Sequence, residues 1–164
     1  MIVPAGTYTY ADLQLVYTMP AGRRVRSNVD FRTGTFFDGT RTQVMVNPTW
    51  NVSKHLELGG EYQYSRLRFD ARDQSTDIHL ARIRVRAALD ARASGNAFVQ
   101  YNSVSDRLDL NVRLRYNFAE GTDLWLVYNE GLGTDLGPLG PLAPPEGRSL
   151  SRGLIIKYTH TFGL

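Results

Sequence analysis

A chain of 164 residues has room for one domain, and its 42% hydrophobic and 21% charged residues lie within the ordinary globular range. A net charge of +3, with basic residues interleaved among acids, excludes the clustered basic patch of a nucleic-acid-binding protein. The absence of Cys excludes disulfides and thiolate metal sites, and no run of eighteen apolar residues offers a transmembrane helix.

Period-two alternation recurs from end to end, which predicts strands rather than helices. The opening MIVPAGTYTY has neither a basic n-region nor an apolar h-region, so no signal peptide is expected there. If exported, the chain would be a mature protein or the C-terminal piece of a longer one. A first, irregular strand covers about residues 8 to 18, with Leu13, Leu15 and Tyr17 alternating with polar positions. After a Pro-Ala-Gly turn, RVRSNVDFRTGTFF sets Val25, Val29, Phe31 and Phe37 against Arg26, Asn28, Asp30 and Arg32. The next turn is expected at DGT, from its Asp-Gly signal. TQVMVNPTWNV follows, with Trp50 on its apolar face and Pro48 in mid-strand, where a ladder bond must be missing.

LELGGEYQY opposes Leu56, Leu58, Tyr62 and Tyr64 to Glu57, Glu61 and Gln63; the phase then flips at Leu67 and Phe69, which predicts a bulge near Ser65 and Arg66. After the polar loop 70–77, IHLARIRVRAALD places Ile83, Val85, Ala87 and Leu89 opposite Arg82, Arg84 and Arg86. The turn ARASGN leads to AFVQYNSVS. LDLNVRLRYNF then alternates without a break, Leu108 to Phe118 at even positions, and Asp109, Arg113 and Arg115 among the odd ones. DLWLVYNE carries Tyr128, a Gly- and Pro-rich loop is expected over 131–148, and LSRGLIIKYTHTFGL closes the chain with Lys157 opposite a stripe from Leu154 to Leu164. Nine candidate strands result, the first the weakest. The connections at 19–23, 52–55, 90–96 and 119–122 would lie at one end, and those at 37–41, 70–77, 103–107 and 131–148 at the other.

An alternating strand buries its apolar face either in a protein core or in lipid. Three features favour lipid: strands of the roughly 9–11 residues that a tilted bilayer span needs, apolar faces ending in aromatics, and an Arg-rich polar face. The aromatics Phe37, Trp50, Tyr62, Tyr64, Tyr116, Phe118, Tyr128, Tyr158 and Phe162 suit interfacial girdles, with Tyr116 and Phe118 at the periplasmic rim beside AEGT. Arg26, Asp30, Arg32, Glu57, Glu61, Arg82, Arg84, Arg86, Asp109, Arg113, Arg115 and Lys157 would face a lumen. Arginine dominates because its guanidinium stays charged when desolvated and forks onto carboxylates; the lysines are Lys54 and Lys157 alone. The fold expected is therefore an all-β, antiparallel, up-and-down transmembrane β-barrel of eight to ten strands, complete or the C-terminal part of a larger one. Strands two to nine would close as eight, with the first an extra. The alternative is a soluble periplasmic or secreted β-barrel holding an apolar small ligand.

The final stripe of Leu154, Ile156, Tyr158, His160, Phe162 and Leu164 resembles the C-terminal signal of bacterial outer-membrane barrels, with Leu164 where that signal has Phe. The barrel-assembly machinery is the partner this implies. QYNS at 100–103, SDR at 105–107, LVYNEG at 126–131 and KYTHTF at 157–162 carry a more specific likeness. They resemble the C-terminal barrel domain, of unknown function, of bacterial envelope proteins with an N-terminal carbohydrate-binding family 9-like module. That resemblance implies an outer-membrane location, a porin-like or anchoring role and a link to polysaccharide handling. It brings no catalytic residues, and the carbohydrate module lies outside this sequence.

Signals of other chemistry are weak. His55, His79 and His160 lack metal-ligand spacing, and no nucleophile elbow or phosphate loop is present. Glu57 and Glu61, four residues apart on one strand face, lie roughly 13 Å from each other, too far for a glycosidase pair. Asp70, Asp73 and Asp77 do not match a calcium loop and read as solvated. The expectation is a non-enzyme without cofactor or metal, whose partner is the lipid bilayer of the outer membrane and whose substrate is unknown. If the lumen is open, the Arg stripe would favour anions.

Overall fold

The computed structural model describes residues 5–20, 22–134 and 149–162. These form one nine-stranded sheet: β1 (Asp12–Thr18), β2 (Val25–Phe36), β3 (Gly39–Ser53), β4 (Leu56–Phe69), β5 (Gln74–Ala88), β6 (Ala93–Asn102), β7 (Arg107–Ala119), β8 (Thr122–Gly133) and β9 (Ser149–His160). Each strand pairs antiparallel with the next in sequence, so the fold is the all-β, up-and-down arrangement that the alternation predicts. No helix among the described residues is long and apolar enough to cross a membrane, which says nothing of strands.

β2 hydrogen-bonds to β1 on one side and β3 on the other. It therefore has no free edge, and the expected closure of strands two to nine, with the first left over, is not the arrangement found. The edges of the described sheet are β1 and β9.

Several boundaries move. The β2–β3 turn is Phe37–Asp38, one residue earlier than expected, because Gly39 already pairs with Phe36. Glycine is required at 39: a Cβ there would lie 2.2 Å from the Arg68 carbonyl oxygen and 2.7 Å from the Phe69 ring. The polar segment 70–77 contracts to a single 3-10 turn at Asp70–Arg72 with Asp73 left-handed, and Gln74–Asp77 belong to β5. Similarly, β6 takes up part of ARASGN and β8 runs on to Gly133; residues 135–148 of the expected loop lie outside the described residues. The contrast between the two ends is correspondingly smaller than expected, since the turns at 37–38, 70–73 and 103–106 are short too.

Pro48 sits inside β3, where the pairing with β4 breaks between Val46–Tyr62 and Thr49–Gly59 and resumes in the same register. Its missing N–H explains the gap. Gly60 makes room for the ring, because a Cβ there would approach Pro48 Cγ to 3.1 Å.

The predicted bulge at Ser65 and Arg66 is absent. β4 pairs with β5 without interruption from Leu56–Ala87 to Phe69–Gln74. The register shifts fall instead at Asn51/Ser53, Asn117/Ala119 and Gly131/Leu132.

A charged face and an apolar face

Residues paired directly across an antiparallel ladder share a face, so register sorts every side chain. Following the ladders from β2 to β9, Arg26, Asp30, Arg32, Glu57, Glu61, Arg82, Arg84, Arg86, Asp109, Arg113, Arg115 and Lys157 all fall on one face. Sequence reasoning missed four further charged members of it, Asp12, Arg41, Arg107 and Asp123, and an aromatic companion, Trp125. Arg41 and Arg107 lay just outside the expected strands, and Asp12, Asp123 and Trp125 lay inside theirs; parity with Asn129 and Val127 would have found Asp123 and Trp125.

The charges on this face are largely paired across strands. Arg82 donates to Glu61 at 3.0 Å and to Gln100 at 2.9 Å, and Arg86 reaches Glu57 at 2.9 Å. Arg115 meets Asp123 at 2.9 Å and lies over the Trp125 ring at 5.4 Å. Arg107 donates to Asp109 at 2.7 Å, Arg41 is 3.6 Å from Asp12, and Gln14 donates to Asp30 at 2.6 Å. Asn111 and Asn129 hydrogen-bond between β7 and β8. Among the described residues, Arg32, Arg84, Arg113 and Lys157 have no carboxylate partner, whereas each carboxylate of this face has a side-chain partner. The face therefore carries an excess of unpaired positive charge. Two hollows open on it: one of about 150 Å³ over Gly59 between Arg82, Arg84 and Phe98, and one of about 340 Å³ between Arg113, Trp125 and Lys157.

The opposite face is apolar and open. Leu154 is 62% exposed, Ile156 67% and Ile83 60%, with Leu13, Leu15, Tyr17, Leu114 and Phe118 exposed as well. Among the described residues the only large side chain fully buried is Phe69, and it belongs to the charged face. A shallow groove of about 450 Å³ runs along the apolar face where Ala87, Ala93 and Gly95 are small.

The predicted aromatics divide between the two ends of the apolar face. Trp50, Tyr116, Phe118, Tyr158 and Phe162 lie toward the turns at 54–55 and 120–121. Tyr62, Tyr64 and Tyr128 lie toward the other end, joined by Tyr101, which sequence reasoning overlooked. The hydroxyls of three of these tyrosines are hydrogen-bonded to polar side chains: Tyr62 pairs with His79 at 2.8 Å, Tyr64 donates to Asp77 at 2.7 Å and Tyr128 to Glu130 at 2.7 Å. Phe37 belongs to neither belt. It occupies the β2–β3 turn with φ 54°, edge-on to Tyr8 and Phe36. Leu164 lies outside the described residues.

Beyond Tyr64 and Tyr128 the same face turns polar, with Thr40, Thr42, Arg66, Arg68, Asp77, Glu130 and Arg152. The belt runs obliquely to the ladder rungs. The rung through Trp50 passes Leu58, Val85, Ala97 and Val112 and reaches Tyr128, an aromatic of the opposite belt. The rung through Gln63, Leu80, Asn102 and Arg107 meets β8 at Gly133, above Tyr128. Tyr128 thus lies about six residues below Tyr64's rung, and ~20 Å of strand set against ~19 Å of sheet width gives an inclination of roughly 45°.

No family model and no curated protein matches the chain. Among solved structures, the NanC porin in a rhombohedral crystal form aligns over 93% of this chain and 79% of that one, with a TM-score of 0.45 and 12% identity.

Proposed function

We propose that this chain forms the wall of a bacterial outer-membrane β-barrel, with its apolar face on lipid and its charged face on a water-filled lumen that favours anions. The observation that carries this reading is the separation of the two faces. Nine strands expose one continuous apolar surface and place every predicted lumen charge on the other side. In water such a surface has nothing to cover it, since single exposed apolar residues are ordinary but a contiguous sheet of them is not. The inclination of roughly 45° matches that of membrane-spanning strands. The span fits too: Leu108 to Phe118 extends ~33 Å along β7, which that inclination reduces to ~23 Å, close to the apolar band of an outer-membrane barrel.

A soluble barrel holding an apolar ligand would turn this face inward and the ion-paired face to water. The tyrosines with side-chain-bonded hydroxyls and the polar residues beyond them support lipid instead, because a closed core has no need of an aromatic rim. The amphipathic β9 supplies the strand that the barrel-assembly machinery would recognise. The likeness of QYNS, LVYNEG and KYTHTF to an envelope-protein barrel domain links this lumen to polysaccharide handling.

Two measurements test the reading. The protein should need detergent for solubility and migrate differently on gels before and after heating; a monodisperse monomer in plain buffer overturns the membrane assignment. In planar bilayers it should conduct with anion preference, and replacing Arg84, Arg113 and Lys157 together by Gln should reduce that preference. Cation preference, or no conductance, overturns the anion-favouring lumen.

A further inference from the structure

Beyond the Tyr62–Tyr64 belt, on the apolar face, a notch of about 140 Å³ is lined by Thr40, Thr42, Arg66 and Arg68. The ladder builds it: Thr42 pairs with Arg66 and Thr40 with Arg68, so two guanidinium groups and two hydroxyls stand on one face, two residues apart. That spacing is roughly 7 Å along the strand, within reach of two long side chains closing on one tetrahedral anion.

The donors are not used up internally. Arg66 approaches Asp77 at 3.8 Å and Arg68 approaches Asp70 at 3.7 Å, both beyond hydrogen-bonding distance, and their side chains are about half exposed, at 47% and 57%. Asp77 already accepts the Tyr64 hydroxyl at 2.7 Å. Thr42 shares a hydrogen bond with Thr33 at 3.1 Å, and Thr40 makes no side-chain hydrogen bond among the described residues. Arginines serving only as surface solubilisers have no reason to flank hydroxyls just above an aromatic belt. On the lipid reading given above, on which this inference rests, that height is where headgroups begin.

We propose that this notch binds the phosphate of a membrane lipid headgroup, with Arg66 and Arg68 forking onto its oxygens and Thr40 donating its hydroxyl. Guanidinium groups suit this task because they present paired N–H donors to phosphate. The site would fix the depth of the β3–β4 hairpin in the bilayer and hold an annular lipid beside it.

The test reconstitutes the full chain in phosphatidylcholine vesicles doped with phosphatidic acid or, at equal negative charge, with oleic acid. Lipid retained after detergent extraction is counted by native mass spectrometry. Phosphatidic acid should be retained in preference to oleic acid. The R66Q/R68Q variant should lose about tenfold of that retention, about 1.4 kcal/mol, while R23Q/R24Q, altered in the opposite turn, should not. Equal retention by R66Q/R68Q, or equal retention of the two lipids, overturns the headgroup site and leaves the barrel reading standing. Displacement by inorganic phosphate at the lipid's own concentration would mean that soluble phosphate is the ligand and overturns the lipid assignment. Failure of the unaltered chain to insert into any vesicle overturns the membrane reading itself.

Discussion

The two halves of β4 obey opposite rules within one uninterrupted strand. From Leu56 to Tyr64 the even residues are apolar and the odd ones are Glu57, Gly59, Glu61 and Gln63; from Ser65 to Phe69 the even residues are Arg66 and Arg68 and the odd ones Leu67 and Phe69. The backbone does not change phase; the surroundings do. On the lipid reading proposed above, the outward face below Tyr64 meets an apolar medium and the inward face meets charge. Above it the outward face is polar, and the inward face holds an apolar cluster of Phe36, Leu67 and Phe69 under the Phe37–Asp38 and Asp70–Asp73 turns. Arg72 caps that cluster, its guanidinium 4.3 Å from the Phe69 ring centre and 2.7 Å from Asp38. On that reading alternation records the solvent at each height, and an inversion without a bulge marks where that solvent changes.

The contrast can be broken from either side. The largest effect should come from Phe69→Ala, which empties the only fully buried large side-chain position described. Removal of a buried Phe costs about 3–5 kcal/mol, read as a shift of the urea unfolding midpoint in vesicles. Phe162→Ala, at an 83% exposed position whose ring stands edge-on to His160, should shift that midpoint far less. Next, Val112→Arg, midway along the apolar face of β7, should destabilise by about 2–4 kcal/mol, whereas Thr42→Arg above the belt should cost no more than about 1 kcal/mol. Equal costs at the two sites would abolish the distinction between the heights.

Gly60→Ala is expected to be smaller, because the added Cβ presses on the Pro48 ring, whose neighbours must give by a few tenths of an ångström. Its effect should vanish in a Pro48→Ala background, which a double-mutant cycle would show. The smallest effect concerns Asp90, in the turn between β5 and β6. The N–H groups of Ala93 and Arg92 donate to its carboxylate at 2.7 Å each, and these bonds hold its pKa below the ordinary value. A depressed folded pKa contributes stability that is complete above the unfolded pKa of about 3.9 and fades as pH falls through the lower folded value. Asp90→Asn should remove that acid-side slope and leave the neutral-pH fold intact.

The strand count and the membership of each face were legible because both depend only on period two, which registers directly in residue identity. The ladder sums confirm one face for residues as distant as Arg26 and Lys157. What escaped were features whose signal is spatial. Phe37 carried the right chemistry for a girdle but sits in a left-handed turn position, and only the Phe36–Gly39 pairing reveals this. The inversion in β4 looked like a bulge because a sequence cannot distinguish a slipped register from faces that exchange polarity within an unbroken strand. Arg41 and Arg107 were hidden because the strands holding them were expected to begin later, whereas Asp123 lay inside its expected strand without being assigned to a face. The Thr40–Arg68 notch needed two strands in register before it existed at all.

The oblique belt has one more consequence, which concerns height instead of face. On the lipid reading, with the tyrosine belt taken as level and the strands inclined at roughly 45°, each residue climbs ~2.3 Å and each neighbouring strand adds ~3.4 Å. Measured up from Trp50, Arg84 then stands at about 9 Å, Arg113 at about 11 Å, and Arg32 and Lys157 at about 13 Å, while Tyr64 and Tyr128 both stand at about 17 Å. The four cations without carboxylate partners occupy different rungs on β2, β5, β7 and β9, yet they fall within about 4 Å of one another in height, below Tyr64 and Tyr128. Their scatter in the sequence is the projection of a level collar onto a slanted ladder.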